Sequence, residues 1–187
     1  NMTIVGILAR AKAMFDVKIH AVIFMSNHFH LIVTIPDLVA QRAFMNYVDG
    51  NIAREVNRIN GWRGHVWSRR YQSIEILDDT ALVSRITYLL SHGCKEGLVA
   101  RPKDWPGVSS LDAMLTGEPM RGIWTDRSER WRSAHRGDEV EPSDFVEEEL
   151  LHLDPVPCWA HLSDRDYRAR VEALVAEIER ETAEQNR

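Results

Sequence analysis

The sequence has few cysteines, no long hydrophobic run and no N-terminal leader pattern, and each shortage excludes a class of protein. Its two cysteines, Cys94 and Cys158, are spaced for neither a secreted disulfide framework nor a CxxC zinc site. Polar residues at 26–28 and His30 interrupt the apolar segment 21–35, so it falls short of the roughly 20 residues that cross a bilayer. The first residues lack the basic-then-apolar order of a signal peptide. We therefore expect a cytoplasmic protein with no membrane partner.

Glycine and proline are also scarce, and charge is unevenly distributed. With 10 glycines, 7 prolines and 44% hydrophobic residues among 187, the composition is that of a globular chain that folds without a disulfide or metal. Residues 1–135 carry 17 basic and 13 acidic side chains, a net of +4, whereas residues 136–187 carry 6 and 15, a net of −9. The first part could meet a polyanion, while the acidic end is typical of solvated helices.

Hydrophobic periodicity predicts a mixed α+β protein. The predicted elements are a helix at 4–15, strands at 17–25 and 28–35, a helix at 38–60, a strand at 71–77 and a helix at 81–92 that ends at Gly93. The remaining predictions are helices at 111–115, 128–134, 147–153 and 164–184, with a linker at 136–142. The first two strands form a hairpin because Ser26 and Asn27 supply a turn between them.

Two histidines, His28 and His30, lie two residues apart on a predicted strand. Alternate side chains of a strand share a face, so both imidazoles point the same way, about 7 Å apart, while Phe29 enters the core. Neutral imidazole is a common ligand of divalent ions. Taken alone, the pair is a weak signal, because such a spacing more often marks two solvent-facing histidines on a sheet.

Tyr88 and His92 are four residues apart on a predicted helix, which places them on adjacent turns of one face. A helix crossing the hairpin could bring His92 to a metal and Tyr88 to whatever the metal holds. A phenol has a pKa of about 10, and a neighbouring cation helps it to lose its proton and attack phosphorus. The alternative is a boundary tyrosine with a buried ring and a wet hydroxyl.

Four sequence blocks resemble, in order, the REP-associated tyrosine transposases of the single-tyrosine HUH transposase superfamily. The blocks are residues 19–33 (IHAVIFMSNHFHLIV), 64–73 (GHVWSRRYQS), 88–99 (YLLSHGCKEGLV) and 105–110 (WPGVSS). Four blocks in the right order are far more specific than any one of them.

The resemblance implies a ferredoxin-like antiparallel sheet with helices on one face. It implies an enzyme that cuts and rejoins single-stranded DNA beside short hairpins, with His28, His30 and His92 binding Mg²⁺ or Mn²⁺. Tyr88 would attack the scissile phosphate, leaving a 5′-phosphotyrosine link and a free 3′-hydroxyl. The covalent link stores the energy for rejoining, so no ATP is needed.

Other polar residues fit this expectation. Ser26 and Asn27 would orient the metal ligands or the phosphate. The candidate DNA contacts are Arg54, Arg58, Trp62, Arg63, His65, Trp67, Arg69 and Arg70. Aromatic faces stack on unpaired bases while guanidiniums meet phosphates. The alternative for this loop is a tryptophan that fills the core between solvated arginines.

Three features differ from the family pattern. The family has Asn or Gln at the position of His92, and histidine favours Mn²⁺ or Zn²⁺ over Mg²⁺. The family begins with a strand, whereas here the first helix begins almost at Asn1. Either the chain is a fragment, or the sheet lacks this strand and a second subunit, as in a homodimer, would fill the gap. Residues 117–187 form a helical, acidic C-terminal extension outside a catalytic domain of residues 1–116.

Three functions therefore stay open. The leading hypothesis is a metal-dependent single-stranded DNA endonuclease and strand transferase. The second is a domesticated protein that binds hairpins or single strands without cutting. The third is a metal-stabilised fold in which the three histidines and a fourth ligand hold a closed structural Zn²⁺.

Overall fold

A β-hairpin formed by β1 and β2 lies at the centre of the computed structural model, which describes residues 1–185. The elements are α1 (Met2–Met14), β1 (Lys18–Phe24), β2 (Phe29–Thr34), α2 (Leu38–Asn60), α3 (Asp79–Lys95), α4 (Leu111–Thr116), β3 (Met120–Thr125), α5 (Arg127–Arg136), β4 (Val146–Leu151) and α6 (Asp164–Gln185). The predicted α+β class, with antiparallel pairing and a C-terminal helix, is confirmed. None of the helices in residues 1–185 is long and apolar enough to cross a membrane.

Apolar side chains cover both faces of the hairpin, because alternate residues of β1 point in opposite directions. Ile19, Val22 and Phe24 pack with α1 and α2 in one cluster. Ala21 and Ile23 pack with α3, α4 and α6 in the other. Helices therefore pack against both faces of the hairpin. Helices α1 and α2 lie on one face, and α3, α4 and α6 lie on the other.

The outer edge of β1 is occupied by later parts of the same chain. The Phe24 N–H donates to the Val108 carbonyl (2.9 Å), and the Ser110 N–H donates to the Val22 carbonyl (2.9 Å). Further along, the Asp154 N–H donates to the Ile19 carbonyl (2.8 Å). These bonds satisfy an edge that would otherwise invite pairing with another chain.

The predicted strand at 71–77 is wrong, because this segment has no regular secondary structure. Strand β2 pairs only with β1 in the described residues, so no strand lies beside residues 71–77 to accept their hydrogen bonds. Ile74 and Leu77 are exposed. Extended backbone without a neighbouring strand or a buried face gains little from β structure.

Helix α3 does not end at Gly93 as predicted but continues to Lys95. A Cβ built on Gly93 would lie 3.0 Å from the Trp105 ring and 3.1 Å from the Val99 side chain. The glycine therefore serves close packing inside the helix, and Gly97, with φ of +67°, follows the helix end. The helix begins at Asp79, two residues before the predicted start at 81, and the Asp78 carboxylate caps it by accepting from the Ala81 N–H (2.7 Å).

The predicted helix at 147–153 is also wrong, because β4 occupies this region and pairs antiparallel with β3. Glu147 faces Trp124 and Glu149 faces Gly122 across the ladder. The predicted helices at 111–115, 128–134 and 164–184 are present as α4, α5 and α6. The division at residues 116 and 117 stays a prediction; the β3–β4 hairpin packs directly against α1.

Helix α1 and strand β3 meet backbone to backbone at two glycines. A Cβ built on Gly6 would overlap the Ile123 carbonyl, and one built on Gly122 would overlap the Gly6 backbone. This close approach fixes the β3–β4 hairpin against α1.

We expect Gly6→Ala to destabilise the protein by about 1–3 kcal/mol, because the added methyl group meets rigid backbone. The matched control is Gly50→Ala in α2, where a Cβ meets nothing within 4 Å; better helix propensity should make it neutral or stabilising by up to about 1 kcal/mol. Urea denaturation measures both. Equal effects at the two positions would contradict the backbone contact.

Candidate metal centre and active site

The turn between β1 and β2 places the first two histidines. The Met25 N–H donates to the His28 carbonyl (2.8 Å), so His28 closes the turn and β2 begins at the next residue. His30 lies opposite Ile23 in the ladder. The imidazole rings of His28 and His30 have centroids 5.1 Å apart.

Helix α3 brings the third histidine to the same place. Its apolar side packs on the hairpin, which buries His92 to 3% exposure. One ring nitrogen each from His28, His30 and His92 lies within 4.8 Å of the other two. His28 Nε2 and His92 Nε2 are 2.8 Å apart. Two nitrogens bound to one ion lie about 3 Å apart, so the cluster has the size of a metal site.

Two ring nitrogens in this cluster lack any hydrogen-bond partner among the described residues. They are His30 Nε2 and His92 Nδ1, and both are buried. Buried polar atoms in folded proteins are nearly always paired, so an ion that accepts the lone pair of His30 Nε2 would satisfy this nitrogen. The three imidazoles therefore fit a divalent ion, and the nitrogen donors suit Mn²⁺ or Zn²⁺ better than Mg²⁺.

The ligand set is open. Within residues 1–185, no fourth His, Cys, Asp or Glu joins the three histidines in the group. Structural zinc sites are usually closed by four protein ligands, whereas catalytic sites leave a position for substrate or water. The donor set therefore favours a metal that binds a further molecule over a closed structural ion.

Asn27 contacts His28, the first of the three histidines. Its side-chain oxygen lies 2.7 Å from His28 Nδ1, where it accepts the Nδ1–H bond and leaves the Nε2 lone pair directed at the cluster. Ser26 is exposed in the same turn. A hydrogen bond that fixes the tautomer of a histidine ligand is a usual feature of metal sites.

Burial keeps two of the imidazoles in the neutral, ligand form. Desolvation, with the charges of His92 and His28 adding to it, lowers the pKa of His30 from 6.5 to about 4. Desolvation also lowers the pKa of His92, and the charge of His28 adds to that effect. A neutral ring offers its lone pair to an ion without first losing a proton.

Tyr88 lies at the rim of the cluster and is 37% exposed. Its ring centroid is 5.1 Å from that of His92 and 5.5 Å from that of His30. Lys95 Nζ lies 5.0 Å from the centroid of the same ring. The ring therefore contacts imidazoles and a cation rather than the apolar core, which distinguishes it from an ordinary boundary tyrosine.

The candidate DNA contacts divide into exposed and packed side chains. The exposed ones are Arg54, Arg58, Trp62, Arg63, His65, Arg69 and Arg70. Trp67 is partly buried; its Nε1–H donates to the Asp49 carbonyl (2.9 Å), and its ring lies 5.5 Å from Phe29. Trp67 therefore anchors the loop, and Trp62 offers the open aromatic face.

Sequence reasoning missed two features of this region. Lys95 lies seven residues after Tyr88 on α3, a helical spacing that could have revealed it. The Arg54 guanidinium donates to the Asn51 side-chain oxygen (2.9 Å) and Arg58 to Glu55 (3.2 Å). For the contact between Arg58 and Glu55, the sequence offers no signal beyond the three-residue spacing of the two side chains.

Comparison with known proteins identifies one similarity. Residues 2–88 match a family model described as transposase, IS200-like. The match covers slightly less than half of the chain; it includes His28, His30 and Tyr88 and stops before His92. It supports the transposase family for this segment. The comparisons with curated proteins and with solved structures found no match.

We expect the metal-free protein to bind Mn²⁺, and His30→Ala to weaken binding at least tenfold, because one of three ligands is removed. His161→Ala, at an exposed position outside the cluster, is the control and should bind as the unmodified protein does. Isothermal titration calorimetry at pH 7 measures both. Unchanged affinity in His30→Ala would exclude this residue as a ligand.

We expect the His30 ring of the metal-free protein to titrate near pH 4 in an NMR experiment with EDTA present. Because the folded pKa lies below the unfolded value of 6.5, the unfolded state binds more protons between these values. The His30 contribution to stability is complete above pH 6.5 and is lost as the pH falls toward 4. A midpoint near 6.5 would contradict the desolvation of this ring.

Proposed function

We propose that the chain is a metal-dependent, transposase-type enzyme that cuts single-stranded DNA through Tyr88 and rejoins it. The observation that carries this proposal is the Tyr88 ring beside three imidazoles that could share one ion. The IS200-like match over residues 2–88 supports it independently of the geometry. The four sequence blocks favour the REP-associated subtype, whose substrates carry short hairpins.

In the proposed reaction, the three histidines would hold the ion and Tyr88 is the nucleophile. A divalent ion bound by the histidines would polarise the scissile phosphate. The Tyr88 hydroxyl loses its proton and attacks phosphorus; the bond to the 3′-oxygen breaks, and that oxygen takes a proton. The products are a 5′-phosphotyrosine link and a free 3′-hydroxyl. Attack by a 3′-hydroxyl on this link reverses the step, so rejoining needs no ATP.

Neighbouring side chains prepare Tyr88 and the ligands for this reaction. The Lys95 ammonium, 5.0 Å from the centroid of the Tyr88 ring, lies over this ring and holds it at the rim of the cluster. Asn27 holds the His28 tautomer whose Nε2 has a free lone pair for an ion. The low pKa of His30 keeps its ring available at neutral pH. These contacts keep the nucleophile and the ligands in place before DNA arrives.

The exposed basic surface supports a single-stranded substrate. Arg54, Arg63, Arg69 and Arg70 have no acidic partner in the described residues, which leaves their charges for phosphates. The Trp62 ring is exposed in the same loop and can stack on an unpaired base. Stacking needs unpaired bases, so this surface favours single strands over a duplex.

A second candidate is a DNA-binding protein that no longer cuts. The 2.8 Å contact between His28 Nε2 and His92 Nε2 favours it, because two imidazoles that hydrogen-bond to each other are partly satisfied without an ion. This protein would use the same basic surface and would form no covalent link. The closed structural zinc site receives less support, since no fourth ligand lies in the described group.

We expect the protein with Mn²⁺ to form covalent adducts with a hairpin-bearing single-stranded oligonucleotide, and Tyr88→Phe to form none. Loss of the hydroxyl removes the nucleophile but should leave DNA affinity within a few fold. The control is Tyr47→Phe, on α2 against Trp124, which should react normally. Denaturing gels with labelled DNA detect the adduct.

The outcomes separate the candidates. Adducts that persist in Tyr88→Phe would assign the nucleophile to another residue. Tight binding without adducts in the presence of Mg²⁺, Mn²⁺ or Zn²⁺ would favour the DNA-binding protein that does not cut.

A further inference from the structure

Helix α5 is attached to α2 by a single, largely buried carboxylate. Arg127 Nη1 lies 2.6 Å from Glu55 Oε1, and Arg127 Nη2 lies 2.7 Å from Glu55 Oε2. Two parallel bonds of this kind fix both distance and orientation. Arg58 also donates to Glu55 Oε2 (3.2 Å). The start of α5 is therefore held next to a basic residue already predicted to contact DNA.

Helix α5 carries an excess of positive charge. The helix contains four arginines and one acidic residue, Glu129, so its net charge is +3 when histidine is counted as neutral. Arg132 and Arg136 pair with Glu129 (3.2 and 3.0 Å). Arg130 is exposed and has no ion pair among residues 1–185.

Two guanidiniums, those of Arg127 and Arg58, contact the Glu55 carboxylate. Burial lowers the pKa of Arg127; Glu55 opposes this effect, while the positive charges of Arg58 and Arg130 lower that pKa further. One negative charge cannot neutralise the two positive charges that contact it. The junction of α2 and α5 therefore keeps a positive charge that no described acidic residue cancels.

An exposed aromatic residue, Trp131, follows Arg130 in the sequence of α5. Trp131 is 62% exposed, although an indole usually finds a buried surface. The His135 ring stacks on it, with centroids 3.8 Å apart and an angle of 33° between planes. His135 Nδ1–H donates to the Trp131 carbonyl (2.8 Å), which holds the imidazole in place. The two rings form an aromatic platform on the helix surface.

We infer that Arg130, Trp131 and His135 form a second contact surface for single-stranded DNA, continuous with Arg58 on α2. The identity of the nucleic acid rests on the proposed function. The combination of a free guanidinium with an exposed aromatic platform suits one phosphate and one unpaired base. An acidic polypeptide would use the arginine but would leave the tryptophan without a partner of matching chemistry.

The test is binding of a fluorescein-labelled, hairpin-free 30-mer single strand to the full chain, measured by anisotropy in EDTA so that cleavage plays no part. Arg130→Glu should weaken binding about tenfold or more, and it should reduce the salt slope by about 0.7 for each phosphate that the variant no longer binds. Trp131→Ala should weaken binding about fivefold or more with the salt slope unchanged. Circular dichroism checks that both variants stay folded.

Matched controls separate local from general effects. Arg180→Glu makes the same charge change on α6, where the side chain is exposed, and should stay within twofold of the unmodified protein. The double variant Arg63→Glu and Arg69→Glu tests the loop surface in the same assay.

The outcomes distinguish the two proposals. If the loop variant loses affinity while both α5 variants bind normally, the inference for α5 is overturned and the proposed function stands. If the unmodified chain does not bind this strand, the inference for α5 is overturned, whereas the proposed function is decided by the adduct assay with the hairpin-bearing strand. If the α5 variants lose affinity for polyglutamate but not for DNA, the surface belongs to an acidic protein partner and the inference is overturned.

Discussion

The candidate site depends on the packing of α3 against one face of the β1–β2 hairpin. Ala21 and Ile23 on β1 and Ile32 on β2 meet the apolar side of α3, including Ile86 and Leu89. This contact buries surface that would otherwise face water, and it sets the height and direction of the helix over the strands. The three imidazoles and the phenol come together because they lie just beyond the apolar contact.

The same packing gives the histidines their chemical character. Removal of His30 and His92 from water disfavours their charged forms, so the rings stay neutral where an exposed histidine would begin to take up protons. It also leaves ring nitrogens without partners. The apolar contact that stabilises the fold thereby leaves His30 Nε2 and His92 Nδ1 without partners, and a bound ion would satisfy His30 Nε2.

The C-terminal part of the chain changes how charge is distributed over the molecule. Glu147 and Glu149 of β4 pair with Arg10 of α1 (3.2 and 3.4 Å), and Asp154 pairs with Lys12 (2.6 Å). Some of its acidic residues therefore neutralise the basic residues of the first helix. Arg54 of α2, Arg63, Arg69 and Arg70 of the following loop and Arg130 of α5 have no ion pair within residues 1–185, so this region keeps exposed positive charge.

The sequence by itself determined the features that depend on near neighbours along the chain. The helix at 38–60, the hairpin, the shared face of His28 and His30 and the four-residue spacing of Tyr88 and His92 all follow from strand and helix periods. Tertiary structure alone decided the features that need a distant partner. Residues 147–151 became a strand because β3 lies beside them; residues 71–77 did not, because no strand lies beside them. Gly93 stayed helical because Trp105 packs on it, and Glu55 met Arg127 because folding brought α5 to α2. Such contacts depend on burial and hydrogen bonding across the whole chain, which local periodicity does not encode.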